Sequence, residues 1–227
     1  MTDSRDIHPL GHKTVVWIGC DRSGLAAAPN GKIRMPQGII MLEVETLHEL
    51  RTLADLVDRL GDVPLDRLIL SPAPGVAVEA DMIDVRERDN RLCELVDGVL
   101  VQKPMGFRES ILAAALAQFL REFVVPHNLG HVSGADGMVR LAPGLVRIPD
   151  AAYFAWQSFP EGQLPAEAIP DLVPDLAVEV LSGSNTPGEM QRKLKEYFSS
   201  GVSLVWVVSP DAPLSRLFSE LDRKAVS

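Results

Sequence analysis

The hydrophobic pattern is clearest in the second half of the chain, where strand-like runs alternate with helical periods. Residues 176–181 are apolar except for Glu179, which predicts a strand buried on both faces. Two apolar runs flank Asp97-Gly98 and predict a hairpin over residues 91–102. Apolar residues recur every three to four positions over residues 110–125 and predict a helix.

The remaining elements of this half complete a mixed α/β sheet. We predict strands at residues 132–141 and 146–154, a long loop at 158–174 and a last strand at 204–208. Pro149 suits only an edge or a bulge of its strand. A helix follows Glu179, because Thr186, Pro187 and Glu189 have the spacing of a capped helix start.

The first third of the chain carries a weaker pattern. Short apolar runs at residues 13–18 and 39–42 predict strands, and residues 46–61 predict an amphipathic helix that ends at Gly61. Thr46 and Glu49 have capping-box spacing at its start. This helix either packs on the main domain or across a dimer interface, or it is a separate recognition helix; its polar face lacks basic residues, which favours packing.

Pro-rich and charged segments suggest the division of the chain. Residues 64–75 hold a short apolar run, Leu68 to Leu70, and then Ser71-Pro-Ala-Pro-Gly75, whose prolines indicate a linker. The charged residues 79–90 are expected to form a surface connection. We therefore predict an N-terminal extension at residues 1–75 and a main domain at residues 76–227.

Composition and charge narrow the classes of function. The chain has 227 residues, of which 46% are hydrophobic and 23% charged, as in a globular protein. Its net charge of -9 argues against broad electrostatic wrapping of nucleic acid, but an acidic metal site is compatible with it.

Cys20 and Cys93 form neither a disulfide framework nor a zinc pattern, so we expect a cytoplasmic protein. No apolar run is long enough for a membrane span, so we expect no membrane partner.

Two carboxylates stand in apolar strands and are the first candidates for chemistry. Glu179 interrupts a buried strand, where a carboxylate is costly unless it is paired or binds a metal. Asp150 follows Pro149 in another apolar run. The alternatives are a glutamate satisfied by arginine or backbone donors and an aspartate that caps a strand end. Together, the two acids predict a Mg²⁺ or Mn²⁺ site, because hard cations prefer carboxylate oxygens.

The helix after Glu179 supplies a candidate lysine. Lys193 lies roughly 75° from the centre of the apolar face, so its long side chain can reach inward. Lys195 and Arg192 lie farther round and are expected to be solvated. The alternative for Lys193 is an ordinary surface lysine whose stem covers apolar surface. Glu94, in the predicted hairpin, is a possible third carboxylate, or else an exposed strand residue.

The ordered set of these motifs resembles the Uma-two family, which belongs to the PD-(D/E)XK nuclease superfamily. The motifs are Glu94-Leu-Val-Asp-Gly98, Ile148-Pro-Asp150, Pro174-Asp-Leu-Ala-Val-Glu-Val-Leu-Ser182, Lys193-x-x-x-Tyr197-x-x-x-Gly201-Val202 and Val205-Trp-Val-Val-Ser-Pro210. They cover roughly residues 91–210. Two departures are Ser209, where the family usually has aspartate, and a shortened segment after Pro210, in which Leu217-Phe218 resembles the family's terminal helix.

The resemblance implies a restriction-endonuclease-like core of the order α-β-β-β-α-β and Mg²⁺-dependent phosphodiester hydrolysis. Asp150 matches the motif aspartate, Glu179 the following acid and Glu94 the family's early glutamate. Leu181 stands where the superfamily has its lysine, and Lys193 matches the lysine that this family carries on the next helix.

We therefore expect a DNA endonuclease that holds Mg²⁺ or Mn²⁺ through Asp150 and Glu179, with Glu94 as a further ligand and Lys193 assisting the attacking water. The alternative is a catalytically weak or inactive nuclease-fold module that binds nucleic acid or protein. A homodimer, formed through the helix at residues 46–61, is a further expectation.

Overall fold

The computed structural model describes residues 52–104, 106–211 and 216–219. These residues all lie in one compact unit, Leu50–Ser227. The strands expected at residues 13–18 and 39–42, and the capping pair Thr46 and Glu49, lie outside the described residues. The domain boundary expected between residues 75 and 76 stays a prediction.

Four helices and ten strands form the described part of the chain. The helices are α1 Leu53–Arg59, α2 Glu79–Asp89, α3 Phe107–Val124 and α4 Pro187–Ser199. The strands are β1 Leu68–Ile69, β2 Cys93–Val96, β3 Val99–Gln102, β4 Gly130–Ser133, β5 Val139–Ala142, β6 Leu145–Arg147, β7 Ala151–Ala155, β8 Leu176–Val180, β9 Leu204–Val208 and β10 Arg216–Ser219. Short 3₁₀ turns lie at Leu65–Arg67, Trp156–Ser158 and Pro160–Gly162.

One five-stranded sheet, here called sheet B, has the order β10-β9-β8-β7-β4. Strands β4, β7 and β8 pair antiparallel, and β8 pairs parallel with β9. Helix α3 comes before β4 in the chain, and α4 lies between β8 and β9. The predicted order α-β-β-β-α-β is therefore confirmed within this sheet, and the α/β class with it.

Alternation along β8 determines which helix each residue faces. Val178 clusters with Leu120 of α3, whereas Ala177 clusters with Leu194 and Tyr197 of α4. Since successive side chains of a strand point to opposite faces, Glu179 lies on the α4 face together with Ala177. All five residues of β8 are buried, as its apolar run predicts.

The second sheet, sheet A, has the order β1-β3-β2-β6-β5, and its pairs are all antiparallel. The predicted Asp97-Gly98 hairpin joins β2 to β3, and both turn residues have positive φ, 51° and 71°. The core of sheet A includes Leu95, Leu100 and Ile148.

One prediction for residues 64–90 is wrong, and one apolar run is a strand. The run before the expected linker forms β1, in which Leu68 pairs with Val101 and Ile69 with Leu100 of β3. The expected surface connection is α2, whose start is capped by the Asp81 carboxylate accepting from the backbone N–H of Val78. Its apolar face is narrow, since Met82 and Val85 are its buried residues.

Three further elements differ from the sequence patterns. The run at 132–141 divides into β4 of sheet B and β5 of sheet A, and the run at 146–154 divides into β6 and β7. Pro149, which lacks the N–H that a central ladder needs, stands at the second division. The segment containing Leu217-Phe218 pairs with β9 as strand β10 and is not a helix.

Helix α1 begins later than predicted, and the turn that follows it contacts the start of α4. Thr52 occupies the N-cap position and forms a capping box with Asp55, so α1 covers only the last part of residues 46–61. Gly61 follows the helix with φ +82°, as predicted for a C′ glycine. Its carbonyl accepts a hydrogen bond from the Thr186 hydroxyl at the N-cap of α4.

Gly61→Ala is expected to destabilise the fold more than Gly144→Ala. A Cβ at Gly61 would lie 2.4 Å from the backbone of Gly188 and of Glu189, whereas a Cβ at Gly144, which has φ +75°, meets nothing within 4 Å. Both variants strain the backbone, at about 1–2 kcal/mol. The clash at Gly61 adds about 1–3 kcal/mol. Urea unfolding of both variants measures the difference, and equal losses would contradict this contact.

Candidate active site

Glu179 lies on β8 and is satisfied by two side chains of α4. It is 4% exposed. Its Oε2 accepts a hydrogen bond from Lys193 Nζ at 3.0 Å, and its Oε1 accepts one from the Tyr197 hydroxyl at 2.6 Å. Lys193 and Tyr197 are four residues apart and so lie on one face of the helix. The buried glutamate is therefore held by a lysine and a tyrosine rather than by an arginine.

Asp150 is hydrogen-bonded to the two residues of β8 that flank Glu179. Its backbone N–H donates to the Val178 carbonyl at 2.8 Å, and its Oδ2 accepts from the Val180 N–H at 2.6 Å. The chain between β6 and β7 leaves the ladder at Pro149, which lets the Asp150 carboxylate turn toward the neighbouring strand. The two acids that the sequence predicts as partners are thus brought together.

Glu94 and Lys193 join this group in the interior. Glu94, in β2, is 1% exposed and Lys193 is 3% exposed, so neither is the surface residue that the alternative interpretations describe. Lys193 Nζ lies 3.1 Å from Glu94 Oε1 and so bridges Glu94 and Glu179. The Ile148 N–H also donates to Glu94 Oε1, at 3.1 Å. We call the group Glu94, Asp150, Glu179 and Lys193 the acidic cluster.

Arg147 connects the acidic cluster to charged groups near the surface. Its Nη1 donates to Glu94 Oε2 at 2.7 Å, and its Nε donates to Glu196 Oε2 at 2.8 Å. Glu196 also accepts from Arg192 Nε at 2.7 Å, and Arg192 Nη2 donates to Asp97 at 2.9 Å. The prediction that Arg192 is solvated is therefore wrong, whereas Lys195 is exposed as expected.

Lys103 is a second lysine at the site that the sequence patterns do not reveal. It directly follows β3, its side chain is 4% exposed, and its Nζ lies 2.8 Å from Asp150 Oδ1. The helical period that places Lys193 on an inward face has no counterpart at Lys103, which follows a hairpin. The only available signal is that Lys103 directly follows β3, the strand that pairs with the one carrying Glu94.

Charge and burial shift the pKa values of Glu179 and Glu94 in opposite directions. Burial raises the pKa of Glu179, and the carboxylates of Asp150 and Glu94 raise it further against the opposing effect of Lys193. Burial also acts to raise the pKa of Glu94, but Lys193 and Arg147 hold it well below its usual range. The negative charge of Glu179 is therefore less offset by its surroundings than that of Glu94.

The donor set suits a hard divalent cation held by two carboxylates. Asp150 and Glu179 offer oxygens only, and a cation beside Glu179 would offset the charge that now raises its pKa. Within residues 52–104, 106–211 and 216–219, no group of three or more acidic, histidine or cysteine side chains is arranged to hold an ion. Mg²⁺ commonly binds through one or two carboxylates and completes its shell with water and substrate phosphate. The residues present fit that pattern, and Glu94 as a ligand stays a prediction.

Comparison with known proteins identifies relatives of the chain. The family model Uma2, described as "Putative restriction endonuclease", matches residues 80–225. One similar solved structure is described as the crystal structure of "a putative nuclease belonging to DUF820" from Anabaena variabilis ATCC 29413. It is 19% identical, with a TM-score of 0.49, and the match covers 59% of this chain and 79% of that chain. Comparison with curated proteins gave no match.

The helices of the described part are also informative about membranes. Not one of them is both long enough and apolar enough to cross a bilayer.

Proposed function

The chain belongs to the Uma2 family, whose model is described as "Putative restriction endonuclease", and from this premise we propose that it is a divalent-metal-dependent endonuclease that hydrolyses phosphodiester bonds in DNA. One observation carries the proposal: Asp150, just before β7, and Glu179 of β8 lie together in the interior of the core, and Lys193 of α4 donates to Glu179. A carboxylate pair beside a lysine supplies both the ligands for a cation and a positive charge for the reacting phosphate.

Asp150 and Glu179 would hold the cation, which is Mg²⁺ or Mn²⁺ in this proposal. When bound, it would polarise the scissile phosphate and lower the pKa of the attacking water. The backbone N–H of Val180 orients the Asp150 carboxylate, and the Tyr197 hydroxyl orients that of Glu179. Both acids are thus fixed before any ligand arrives, which reduces the reorganisation that binding requires.

Lys193 would act on the water and the phosphate. Its ammonium lies against Glu179 Oε2 and Glu94 Oε1, so it stays charged and its direction is fixed. Burial alone would lower the pKa of Lys193, but the carboxylates of Glu179 and Glu94 raise it above its ordinary value. A lysine whose protonated form is stabilised in this way is suited to orient water and to stabilise developing negative charge rather than to act as a general base.

Plasmid cleavage tests the proposal. Wild-type protein is expected to nick plasmid DNA in the presence of Mg²⁺ or Mn²⁺, and Asp150→Asn is expected to lower the rate by about 100-fold or more, because a cation loses a charged ligand. Glu189→Gln is the matched control: it is also a buried acid, but it pairs with Arg67, 2.7 Å away, outside the acidic cluster. Thermal melts before the assay establish that each variant is folded at the assay temperature.

Glu189→Gln is expected to keep its nicking activity. Equal nicking by the wild type and Asp150→Asn would refute the proposed role of the site. Equal losses in Asp150→Asn and Glu189→Gln would assign the effect to loss of a buried charge in general.

A second candidate function follows because protein groups already hydrogen-bond or ion-pair with the carboxylates of the site. All four carboxylate oxygens of Asp150 and Glu179 already have partners in Lys103, the Val180 N–H, Lys193 and Tyr197. Such a group is compatible with a nuclease-fold module that binds nucleic acid or protein with little or no catalysis. Calorimetric titration with Mn²⁺ separates the two functions, because the module has no need of a carboxylate-dependent metal site.

Three other expectations stay predictions. They are DNA rather than RNA as substrate, a homodimer and a cytoplasmic location. Plasmid cleavage, sedimentation of the full chain and fractionation of cells address them in turn.

A further inference from the structure

Lys103 is a buried cation at the acidic cluster to which the proposed function assigns no role. Its side chain is 4% exposed, and its Nζ lies 2.8 Å from Asp150 Oδ1. The same nitrogen donates to the carbonyl oxygens of Ile148 and Ala135, the latter at 3.3 Å. A protonated lysine has three N–H donors, so these three oxygens account for all of them.

The surroundings of this ammonium are those of a bound cation. One carboxylate oxygen and two backbone carbonyl oxygens surround it, and these are oxygen types that proteins also use to bind hard metal ions. The backbone that carries Lys103 is held in place, because Lys103 directly follows β3, whose last residue, Gln102, pairs with Cys93 of β2. Lys103 therefore places a fixed positive charge beside Asp150 Oδ1, while Asp150 Oδ2 is held by the Val180 N–H.

We propose that Lys103 is a positioning residue that acts as an internal counter-ion of Asp150 and competes with a divalent cation for that carboxylate. This proposal rests on the proposed metal site. It adds that the affinity of the site is set from within the chain: a metal ion must weaken the Lys103 ion pair before Asp150 can bind it.

The charges of the cluster give the direction of the effect. Glu94, Asp150 and Glu179 face three buried cations, Lys103, Arg147 and Lys193. Without Lys103, three acids face two cations, and the uncompensated charge lies at Asp150. A divalent ion then gains a free carboxylate oxygen and loses a repulsive neighbour, so it binds more tightly.

Calorimetric titration with Mn²⁺ of the full chain and of Lys103→Met tests the competition. The dissociation constant for Mn²⁺ is expected to fall by about tenfold or more in the variant. The repulsion between a lysine ammonium and a metal ion a few ångströms away exceeds about 1.4 kcal/mol at the effective dielectric of proteins, and 1.4 kcal/mol corresponds to a tenfold change. Lys103→Gln, which is also uncharged but can still donate to the Ile148 carbonyl, is the second variant and is expected to change in the same direction.

Thermal unfolding with and without Mn²⁺ supplies a readout that does not depend on catalysis. Without metal, Lys103→Met is expected to melt below the wild type because Asp150 is left buried and unpaired. Mn²⁺ is expected to raise its melting temperature by more than it raises that of the wild type. Arg67→Met is the matched control, since it leaves Glu189 buried and unpaired away from the acidic cluster; it should melt early without recovery in Mn²⁺.

The outcomes separate this proposal from the proposed function. Tighter Mn²⁺ binding by the variants supports the competition, even if the wild type binds none and its metal-dependent activity fails. Binding by the wild type that is equal or weaker in the variants overturns the competition and leaves the metal site standing. Absence of binding and of thermal recovery in all three proteins overturns both.

Discussion

Replacing Lys193 with methionine is expected to lower the free energy of unfolding by about 3–5 kcal/mol, because the change leaves two buried carboxylates without their shared cation. Lys193 Nζ lies 3.0 Å from Glu179 and 3.1 Å from Glu94, and both acids are at most 4% exposed as whole residues. Methionine has nearly the same length and apolar character as the lysine stem, so the loss reports the ammonium rather than a cavity.

Lys195→Met is the matched control for this prediction. Lys195 lies on the same helix, two residues further along, and is exposed, so its replacement is expected to change stability by no more than about 0.5 kcal/mol. Urea unfolding at pH 7 measures both variants. If the two losses were alike, Lys193 would be an ordinary surface lysine and its contacts with the two acids would not exist in solution.

Arg147→Met is expected to destabilise the protein by a similar amount, about 3–5 kcal/mol. The Arg147 side chain is 3% exposed and joins Glu94 of sheet A to Glu196 of α4, so its loss leaves charge unpaired on two elements. It also removes one of the cations that hold the pKa of Glu94 low. In the variant, Glu94 is therefore expected to take up a proton at a higher pH than in the wild type.

Arg140→Met provides the comparison for Arg147→Met. Arg140 also donates two hydrogen bonds to one carboxylate, that of Glu79, but this pair is 30% and 28% exposed. Water can solvate the remaining carboxylate, so a loss of about 1 kcal/mol or less is expected. Equal losses from the two variants would show that burial does not determine the strength of these arginine contacts.

Much of the acidic cluster could be predicted because its residues stand in regular elements. Glu179 breaks an apolar strand, and the helical period places Lys193 rather than Lys195 beside it. Both signals depend only on the sequence near each residue, and the structure brings these two side chains together. Helices α3 and α4 and strands β8 and β9 carry similarly strong local patterns, whereas the apolar runs at residues 132–141 and 146–154 each divide between the two sheets.

Other parts depended on contacts that no local pattern encodes. Arg147 and Lys103 follow ordinary strand residues, and only the docking of sheet A against α4 and β8 makes them interior. Glu189 was expected to complete a capping box; its N–H does bond to Thr186, but its carboxylate pairs with Arg67, 122 positions away in the chain. Helix α2 was missed because its buried face consists of Met82 and Val85 within a charged segment.

The buried charges have a consequence for the specificity of folding. The fully buried ionisable side chains of the described residues, cysteine and tyrosine aside, are four acids and four bases: Arg67, Glu94, Lys103, Arg147, Asp150, Glu179, Glu189 and Lys193. They come from the turn before β1, from the strands and strand ends of both sheets and from α4, so their charges cancel only when these parts are correctly docked. A misregistered sheet or a rotated helix would leave a buried charge without its partner, and each such charge would lower the stability of the misfolded arrangement by several kcal/mol. The same groups that are proposed to bind a metal thus also discriminate against alternative packings of the chain.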